Sequence, residues 1–212
     1  LFFNDVNNHI HTTYSFSPYS PSKALFMAYM NGLKTAGIMD HDSAAGCEEF
    51  IQAGQILDMP ITCGIEVRAR MDKTELNGRK INNPDQDSVA YVALHGIPHQ
   101  HIKTIQDFMA PYRKYRNIRN KNMCDKINQI FKKYDILLDF EKEVLPLSLY
   151  TKGGTVTERH ISYALALKLL DKFPKGKALI SFYKDTLKLP LSSKNEQLLN
   201  DESNPVYEYD LL

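Results

Sequence analysis

Two histidines, His9 and His11, stand two residues apart, just after an apolar run at the start of the chain. On an extended strand, side chains two residues apart point to the same side, so both imidazoles can face one point above the end of the strand. Imidazole is a common ligand of first-row transition metals. The spacing therefore predicts a metal site at the carboxyl end of a first strand.

Two further apolar runs end in residues of the same kind. The segment Asp40 to Asp42 follows the run 36–39, and Glu66 follows the run 61–65. Parallel strands bring their carboxyl ends to one edge of a sheet, so we expect these side chains to converge despite their separation in sequence. Histidine, aspartate and glutamate together suit Zn²⁺, Mn²⁺ or Fe²⁺, and a carboxylate can bridge two such ions. The alternative is that these are polar groups satisfied at strand ends.

Three segments resemble, in order and spacing, the motifs HxHT-x-YS, TDHD and GiE of the polymerase and histidinol phosphatase (PHP) family. They are His9-Ile10-His11-Thr12-Thr13-Tyr14-Ser15, Ile38-Met39-Asp40-His41-Asp42 and Gly64-Ile65-Glu66. Later segments resemble one branch of that family, the metal-dependent phosphoesterases that include nucleotide phosphatases and 5′-end exoribonucleases. These are Leu94-His95-Gly96, the arginine-rich stretch from Arg113 to Arg119, and Thr157 to Ile161. The resemblance covers roughly residues 4 to 170.

The resemblance implies a distorted TIM-like (β/α)7 barrel and a site for two or three divalent cations (Zn, Mn or Fe). Such a site hydrolyses phosphate esters with a metal-activated water. Carried over residue by residue, the implied metal ligands are His9, His11, His41, Glu66 and His95. The implied catalytic residues are Asp40, which would orient a ligand or bind directly, and His160.

Arginines are the expected phosphate-binding groups, because their forked donors match pairs of phosphate oxygens. Arg116 and Arg119 are three residues apart on a predicted helix and face together. Arg159 and His160 lie in the first turn of a later helix, where free N–H groups and the helix dipole favour an anion. A solvated helix face is the alternative interpretation of the arginines between 113 and 119.

The chain departs from the family pattern at two places. Many relatives carry a third-metal ligand five or six residues after the second histidine, where this chain has Phe16 and Ser17. The family's later ligands, a His near AHP and a DxH, do not occur in the sequence. We therefore expect either a chain truncated before these ligands or a degenerate site, with weak or no activity of this chain by itself.

Element signals place these residues on a strand–helix–strand framework. A strand is predicted at 2–8, a helix between Ser20-Pro21 and Asn31-Gly32, a second helix near 44–57, and a third strand ending at Glu66. Residues 69–88 read as a polar loop, and 89–94 as a fourth strand whose end again carries a histidine, His95.

The rest of the chain is predicted to be mainly helical. A helical pattern covers 101–134, with a new helix starting at Pro111, and 144–149 reads as a strand or link. A capping box at Thr155–Glu158 starts a helix through Leu170, and a short helix covers 177–187. We expect an incomplete barrel at 1–98, a helical insertion subdomain at 99–190, and a polar linker or the start of further barrel at 191–212.

Composition limits the function classes. The net charge of +1 gives no general attraction to nucleic acid or anionic membranes. No apolar run approaches the roughly 18–20 residues of a membrane span, and there is no secretory leader. Cys47, Cys63 and Cys124 show no CxxC pairing, which is typical of buried thiols in a reducing compartment. The sequence thus predicts a cytoplasmic protein without a membrane partner.

The predicted function is hydrolysis of phosphate esters of nucleotides or short oligonucleotides. The expected partners are a small phosphate ester, a nucleotide or a short single-stranded nucleic acid. Two alternatives remain: a phosphatase of sugar or amino-alcohol phosphates of the histidinol-phosphatase type, and a non-catalytic binding or regulatory module with the PHP fold.

Overall fold

The computed structural model describes residues 5–84, 86–201 and 203, and the chain forms two compact units. Unit 1 takes in Leu1–Asn117 and Ser148–Thr157, and unit 2 takes in Ile118–Leu147 and Glu158–Leu212. The predicted domain boundaries after residues 98 and 190 stay predictions.

Unit 1 contains a four-stranded sheet in the order β1-β2-β3-β4. The first three strands are parallel and are joined by helices, as predicted from the strand–helix–strand pattern, whereas β4 runs antiparallel to β3. The elements are β1 Val6–Ile10, α1 Pro21–Met30, β2 Thr35–His41, α2 Cys47–Leu57, β3 Ile61–Arg70, β4 Val89–His95 and α3 Ile102–Phe131, the last of which continues into unit 2.

Local signals explain why α1 begins and ends where it does. The Ser20 hydroxyl accepts a hydrogen bond from the Lys23 N–H at 3.3 Å, and Pro21 occupies the first helical position. At the other end Asn31 caps the helix, and Gly32 turns the chain with a φ of +80°. Both predicted ends of this helix are confirmed.

The core of unit 1 is apolar and includes residues of the sheet, α1, α2 and the first half of α3. Its fully buried members include Leu25, Ile38, Phe50 and Ile65, and Met109 joins them from α3. Burying a side chain of this size stabilises a fold by roughly 1.5–3 kcal/mol, so these contacts hold the strand ends in position.

Two strand predictions need correction. The strand predicted at 2–8 spans Val6–Ile10, so that His9 lies within it and His11 directly follows; residues 1–4 lie outside the described part of the chain. The third strand runs four residues beyond Glu66, and the chain returns through a hairpin connection. An antiparallel return needs no helical crossover, which is why His95 does not sit at the shared carboxyl edge of the parallel strands.

The helical predictions hold in part. No new helix begins at Pro111, because α3 continues through it as one 30-residue helix. A proline removes one backbone donor, and long helices can tolerate that loss at a local cost. The segment predicted as a strand or link at 144–149 forms short helical turns, Phe140–Val144 and Leu145–Leu147.

Among the described residues of unit 2, all regular secondary structure is helical. Besides its part of α3 it contains α4 Glu158–Lys172, then α5 Lys177–Ser181, the turn Phe182–Thr186 and α6 Ser193–Asn200. The predicted helix is thus present, but it begins at Glu158, and the buried Thr155 hydroxyl has no hydrogen-bond partner among the described residues, so the capping box predicted at Thr155–Glu158 is not formed. The helix α6 lies in the stretch predicted as a polar linker or the start of further barrel, and that assignment stays a prediction. The helix forms because Ser192 caps it and because Leu199 is buried in the apolar core. Residue 202 and residues 204–212 lie outside the described part of the chain.

Among the described residues, no helix combines the length and apolar character that a membrane crossing requires.

Candidate metal centre

In unit 1, Glu66 lies among three histidines where the parallel strands β1 and β2 reach their carboxyl ends. Its Oε1 is 3.7 Å from His9 Nε2, and its Oε2 is 3.8 Å from His11 Nε2 and 3.0 Å from His41 Nδ1. The imidazole rings also lie against each other: His11 and His41 stack at 4.6 Å, and His9 meets His11 edge-on at 5.0 Å. The sequence-predicted convergence of these four side chains is therefore seen in the structure.

Strand register brings these residues together. His41 ends β2 and is the direct sheet partner of Glu66 on β3. His9 lies near the end of β1, and the neighbouring β1–β2 pairing contains a register shift between Asn7 and Ile10. Because residues i and i+2 share a face, the irregular end of β1 still presents His9 and His11 on one side.

The local charge keeps Glu66 ionised. The close approach of His41, whose Nδ1 lies 3.0 Å from Oε2, is the largest influence and lowers the pKa of the Glu66 carboxyl, although partial burial opposes it. The nearby imidazoles of His9 and His11 lower this pKa further. An ionised carboxylate among imidazoles is the protonation state that a divalent cation requires of its ligands.

The donor set fits a divalent cation. One ligand atom from each of His9, His11 and Glu66 lies within 4.8 Å of the others. Two ligands held at about 2.0–2.2 Å from one ion are separated by about 3–4.5 Å, which matches the 3.7 and 3.8 Å spacings between the imidazole nitrogens and the carboxylate. These spacings are too long for direct hydrogen bonds. His9, His11 and Glu66 are therefore the residues that would hold a metal, with His41 beside them.

His95 lies apart from this group. It is the sheet partner of Gly64, two positions before Glu66 on β3, and its residue is exposed. Directly paired residues share a face of the sheet, so His95 is on the face that carries Glu66 but farther from the edge. The three-ligand group found among the described residues does not include it. Its role as a metal ligand stays a prediction.

Asp40 supports the loop that follows His11. Its buried carboxylate accepts hydrogen bonds from the Thr12 N–H, the Thr12 hydroxyl and the Ser15 hydroxyl, each at 2.6 Å. Burial raises the pKa of the Asp40 carboxyl, and these hydrogen bonds act in the opposite direction. The structure thus places Asp40 beneath the loop, where it can position the end of β1. Its catalytic role stays a prediction.

Two of the helical arginines reach the loop after β2 instead of open solvent. Arg116 Nε donates to Asp42 Oδ2 at 2.8 Å, and both side chains are more than nine-tenths buried. Arg113 donates to the Asp42 backbone oxygen at 3.0 Å. Asp42 itself has a φ of +52°, and its N–H bonds to the Glu66 carbonyl. These arginines therefore hold the segment that directly follows His41.

The remaining predicted residues belong to unit 2. Arg119 forms an ion pair with Glu158 at the start of α4. Arg159 is exposed in the first turn of the same helix, and His160 beside it is buried. The predicted roles of these three residues toward a phosphate stay predictions.

The sequence interpretation missed Arg68 and Tyr91. Arg68 lies two residues beyond Glu66 on β3, and Tyr91 is its direct partner on β4. The Tyr91 ring centroid is 6.0 Å from that of His41. The i, i+2 alternation from Glu66 could have placed Arg68 on this face, but only the pairing with β4 brings Tyr91 to it.

Comparison with known proteins establishes the fold. No family model matches the chain, and no curated protein matches it. A candidate metal-dependent phosphoesterase from Bifidobacterium adolescentis matches 91% of this chain with a TM-score of 0.55 and 21% identity. An amidohydrolase from Chromobacterium violaceum, solved with bound sulfate and no metal, matches 84% of the chain with a TM-score of 0.56 and 16% identity.

The chain spans 61% and 54% of the lengths of these two proteins. The shared fold is a mixed α/β arrangement whose curled four-stranded sheet is consistent with part of a TIM-like barrel. The chain thus shares its fold with one protein described as a metal-dependent phosphoesterase and one described as an amidohydrolase.

Proposed function

We propose that this chain is part of a metal-dependent phosphoesterase of the PHP type that acts on phosphate esters of nucleotides or short oligonucleotides. The observation that carries the proposal is the position of Glu66, with imidazole nitrogens of His9, His11 and His41 within 3.8 Å of its carboxylate oxygens. Three imidazoles around one carboxylate on a partly exposed sheet edge form a cation site that a substrate can reach.

Each residue has a distinct task in this proposal. His9, His11 and Glu66 hold a divalent cation, and His41 keeps the carboxylate of Glu66 oriented through its 3.0 Å contact. When bound, the cation supplies Lewis acidity and a water of lowered pKa. Asp40 and Arg116 act from beneath, where they hold the loops that follow His11 and His41.

Two independent lines support a phosphate ester as the substrate. The segments around His9, His41 and Glu66 resemble motifs of the PHP family, and the fold is similar to that of a candidate metal-dependent phosphoesterase. Zn, Mn and Fe all suit a set of imidazole and carboxylate ligands. We propose a cytoplasmic protein, in keeping with its three isolated cysteines.

The test is the substitution His11→Ala, with His101→Ala as a matched control on an exposed histidine outside the centre. Metal content is measured by plasma mass spectrometry after reconstitution with Mn²⁺ or Zn²⁺. Hydrolysis of p-nitrophenyl phosphate and of a 5′-phosphorylated oligonucleotide is measured on the longest natural protein that contains this chain. We expect His11→Ala to lower bound metal and hydrolysis together, by about tenfold or more, and His101→Ala to leave both unchanged. Phosphate release that survives His11→Ala would exclude this metal mechanism.

A second candidate is a metal-binding module without catalysis. It is favoured by the presence of Phe16 and Ser17 where relatives carry a further ligand, and by the position of His95 outside the three-ligand group. Metal that binds through His11, combined with no hydrolysis of any phosphate ester in the longer protein, would support this candidate over the phosphoesterase.

A further inference from the structure

Arg68 lies on the face of the sheet that carries Glu66. The two residues are two positions apart on β3, so their side chains point to the same side. The strand rises by about 3.3 Å per residue, which places the Arg68 backbone about 7 Å beyond that of Glu66, in the direction of the strand's carboxyl end. A long guanidinium side chain at this position is within reach of a group bound beside Glu66.

Tyr91 holds the Arg68 guanidinium in place. Arg68 Nε and Nη2 donate to the Tyr91 hydroxyl oxygen at 3.2 and 2.7 Å, and the two residues face each other across the β3–β4 ladder. The Asn82 side chain both donates to and accepts from the Tyr91 backbone, which fixes the strand at this point. Because the Tyr91 oxygen accepts two hydrogen bonds from Arg68, its own proton is directed to a different acceptor.

Tyr91 also links Arg68 to the candidate metal centre. Its ring centroid is 6.0 Å from the imidazole of His41, which in turn touches Glu66. The guanidinium and the phenol therefore form a donor pair next to the histidines. Such a pair suits an anion with several acceptor oxygens, because arginine presents its donors as a planar fork and a phosphate offers pairs of oxygens at matching spacing.

Three other arginines of unit 1 contact Asp42 or Asp72, and the fourth, Arg79, is exposed in the loop between β3 and β4. Arg116 and Arg113 donate to Asp42 and hold the loop after β2. Arg70, two residues beyond Arg68, is 81% exposed at the end of β3 and pairs with Asp72. Of the unit 1 arginines that the structure describes, Arg68 is the one on the sheet face of Glu66 with a contact leading back to His41.

We propose that Arg68 and Tyr91 form the phosphate-binding pair of this site and that they select a phosphomonoester. This inference rests on the proposed phosphoesterase function and names the group that the substrate must carry. A terminal phosphate has enough unesterified oxygens to accept from the guanidinium and from the phenol at once, whereas an amide oxygen does not.

The experiment is a calorimetric titration of the chain with inorganic phosphate, for the parent and for Arg68→Ala. We expect Arg68→Ala to weaken phosphate binding by about 10- to 100-fold, the loss typical of a charge-assisted contact. Arg70→Ala is the matched control, since it removes an arginine from the same strand outside the pair, and should leave the affinity unchanged. Metal content by plasma mass spectrometry should be the same in all three proteins.

Two further variants keep the test decisive if Arg68→Ala does not fold. Arg68→Lys keeps the charge without the planar fork and should give an intermediate loss of phosphate affinity. Tyr91→Phe removes only the hydroxyl and should weaken phosphate binding by about fivefold, with an unchanged melting temperature. Unchanged affinity in Arg68→Ala and Arg68→Lys, or no phosphate binding by the parent, would overturn the proposal.

Each titration is run with Mn²⁺ and again in EDTA, which separates this inference from the proposed function. If the parent protein binds no metal, the proposed phosphoesterase function is contradicted, while the titration in EDTA still tests whether Arg68 binds phosphate. If metal binding depends on His11 but phosphate affinity is the same with and without Arg68, only the proposed role of Arg68 and Tyr91 is contradicted.

Discussion

Unit 1 and unit 2 differ in the kinds of side chain that each of them buries. Of the buried polar side chains that the structure describes, all but Asn120 and His160 lie in unit 1. There, Asp40 accepts three hydrogen bonds and Asp42 is paired with Arg116, in addition to the apolar core of that unit. Unit 2 has an apolar cluster with few buried polar side chains, and the cluster includes Leu169, Leu179, Ile180, Phe182 and Leu199.

The difference follows from what each unit must specify. Apolar burial is non-directional, so the core of unit 2 accepts several arrangements of similar volume. Hydrogen bonds and ion pairs are directional and are costly when a partner is missing. In unit 1 they tie down the loops that follow His11 and His41, and those loops keep the imidazoles around Glu66. The polar contacts therefore define positions, whereas the apolar contacts of unit 2 provide mainly stability.

The largest expected effect is in unit 2. Phe182 is buried, stacks on Phe173 at a ring distance of 4.2 Å and meets Tyr134 edge-on at 5.2 Å. Phe182→Ala should lower the free energy of unfolding by about 4 kcal/mol, because it removes buried volume and leaves a cavity. Phe182→Leu should cost only about 1.5 kcal/mol. Urea denaturation followed by hydrogen exchange gives both values, and equal losses would mean that ring geometry, not volume, holds this cluster.

The buried ion pair of unit 1 should respond in the opposite way to shape-conserving changes. Arg116→Met keeps much of the volume but leaves Asp42 charged and buried, so we expect a loss of about 3 kcal/mol. Adding Asp42→Asn should recover part of this loss, since asparagine is neutral and tolerates the positive φ at this position. A double-mutant cycle from urea denaturation measures the coupling. An unchanged free energy of unfolding in Arg116→Met alone would show that filling the buried volume, and not the ion pair, stabilises this part of unit 1.

Asp40 tests whether a polar contact beneath the centre affects metal binding as well as stability. Asp40→Asn replaces one acceptor oxygen by a donor that faces Thr12 or Ser15, and should lower the free energy of unfolding by about 2 kcal/mol. Asp58→Asn is the matched control, at an exposed helix cap that asparagine also accepts, and should change stability by less than about 0.5 kcal/mol. Metal affinity should fall by about tenfold in Asp40→Asn, because the loop after His11 loses part of its support, and should be unchanged in Asp58→Asn. Unchanged metal affinity in Asp40→Asn would show that these hydrogen bonds stabilise unit 1 without positioning the imidazoles.

The smallest effect is electrostatic and concerns a buried thiol of unit 2. Burial raises the pKa of Cys124 to about 11 from an ordinary value of 9.0. At pH 8 only about one molecule in a thousand is then a thiolate, so alkylation by iodoacetamide should be slow in the folded protein and fast in urea. Between pH 9.0 and about 11 the unfolded chain releases this proton first, so the free energy of unfolding should fall as the pH rises. Rapid alkylation at pH 8 without urea would show that this part of unit 2 opens readily.

The local features of the fold could be predicted from short stretches of sequence. Ser20-Pro21 and Asn31-Gly32 marked the two ends of α1, and the pattern from Thr155 to Glu158 indicated a helix that begins at Glu158. Caps, turns and strand alternation depend on residues a few positions apart, so a short stretch of sequence contains all the residues that determine them. For the same reason, the spacing of His9 and His11 and the carboxylate at the end of an apolar run indicated the candidate centre.

Other features were decided only when distant segments met. The direction of β4 could not be read from its apolar pattern, because alternation is the same in a parallel and an antiparallel strand. The ion pair between Arg116 and Asp42 joins residues 74 positions apart, and no short sequence pattern predicts it. The helix α6 depends on burial of Leu199, a single apolar side chain in a polar stretch.

The sequence by itself determined which residue types stand at the strand ends, and therefore which chemistry is possible there. The tertiary structure decided which of them share a site: His9, His11, His41 and Glu66 meet, while Arg68 and Tyr91 join their face of the sheet. The physical reason is that ligand identity is a property of single residues, whereas the distances between donor atoms depend on strand register and direction. Those are set by long-range pairing and by burial of the core.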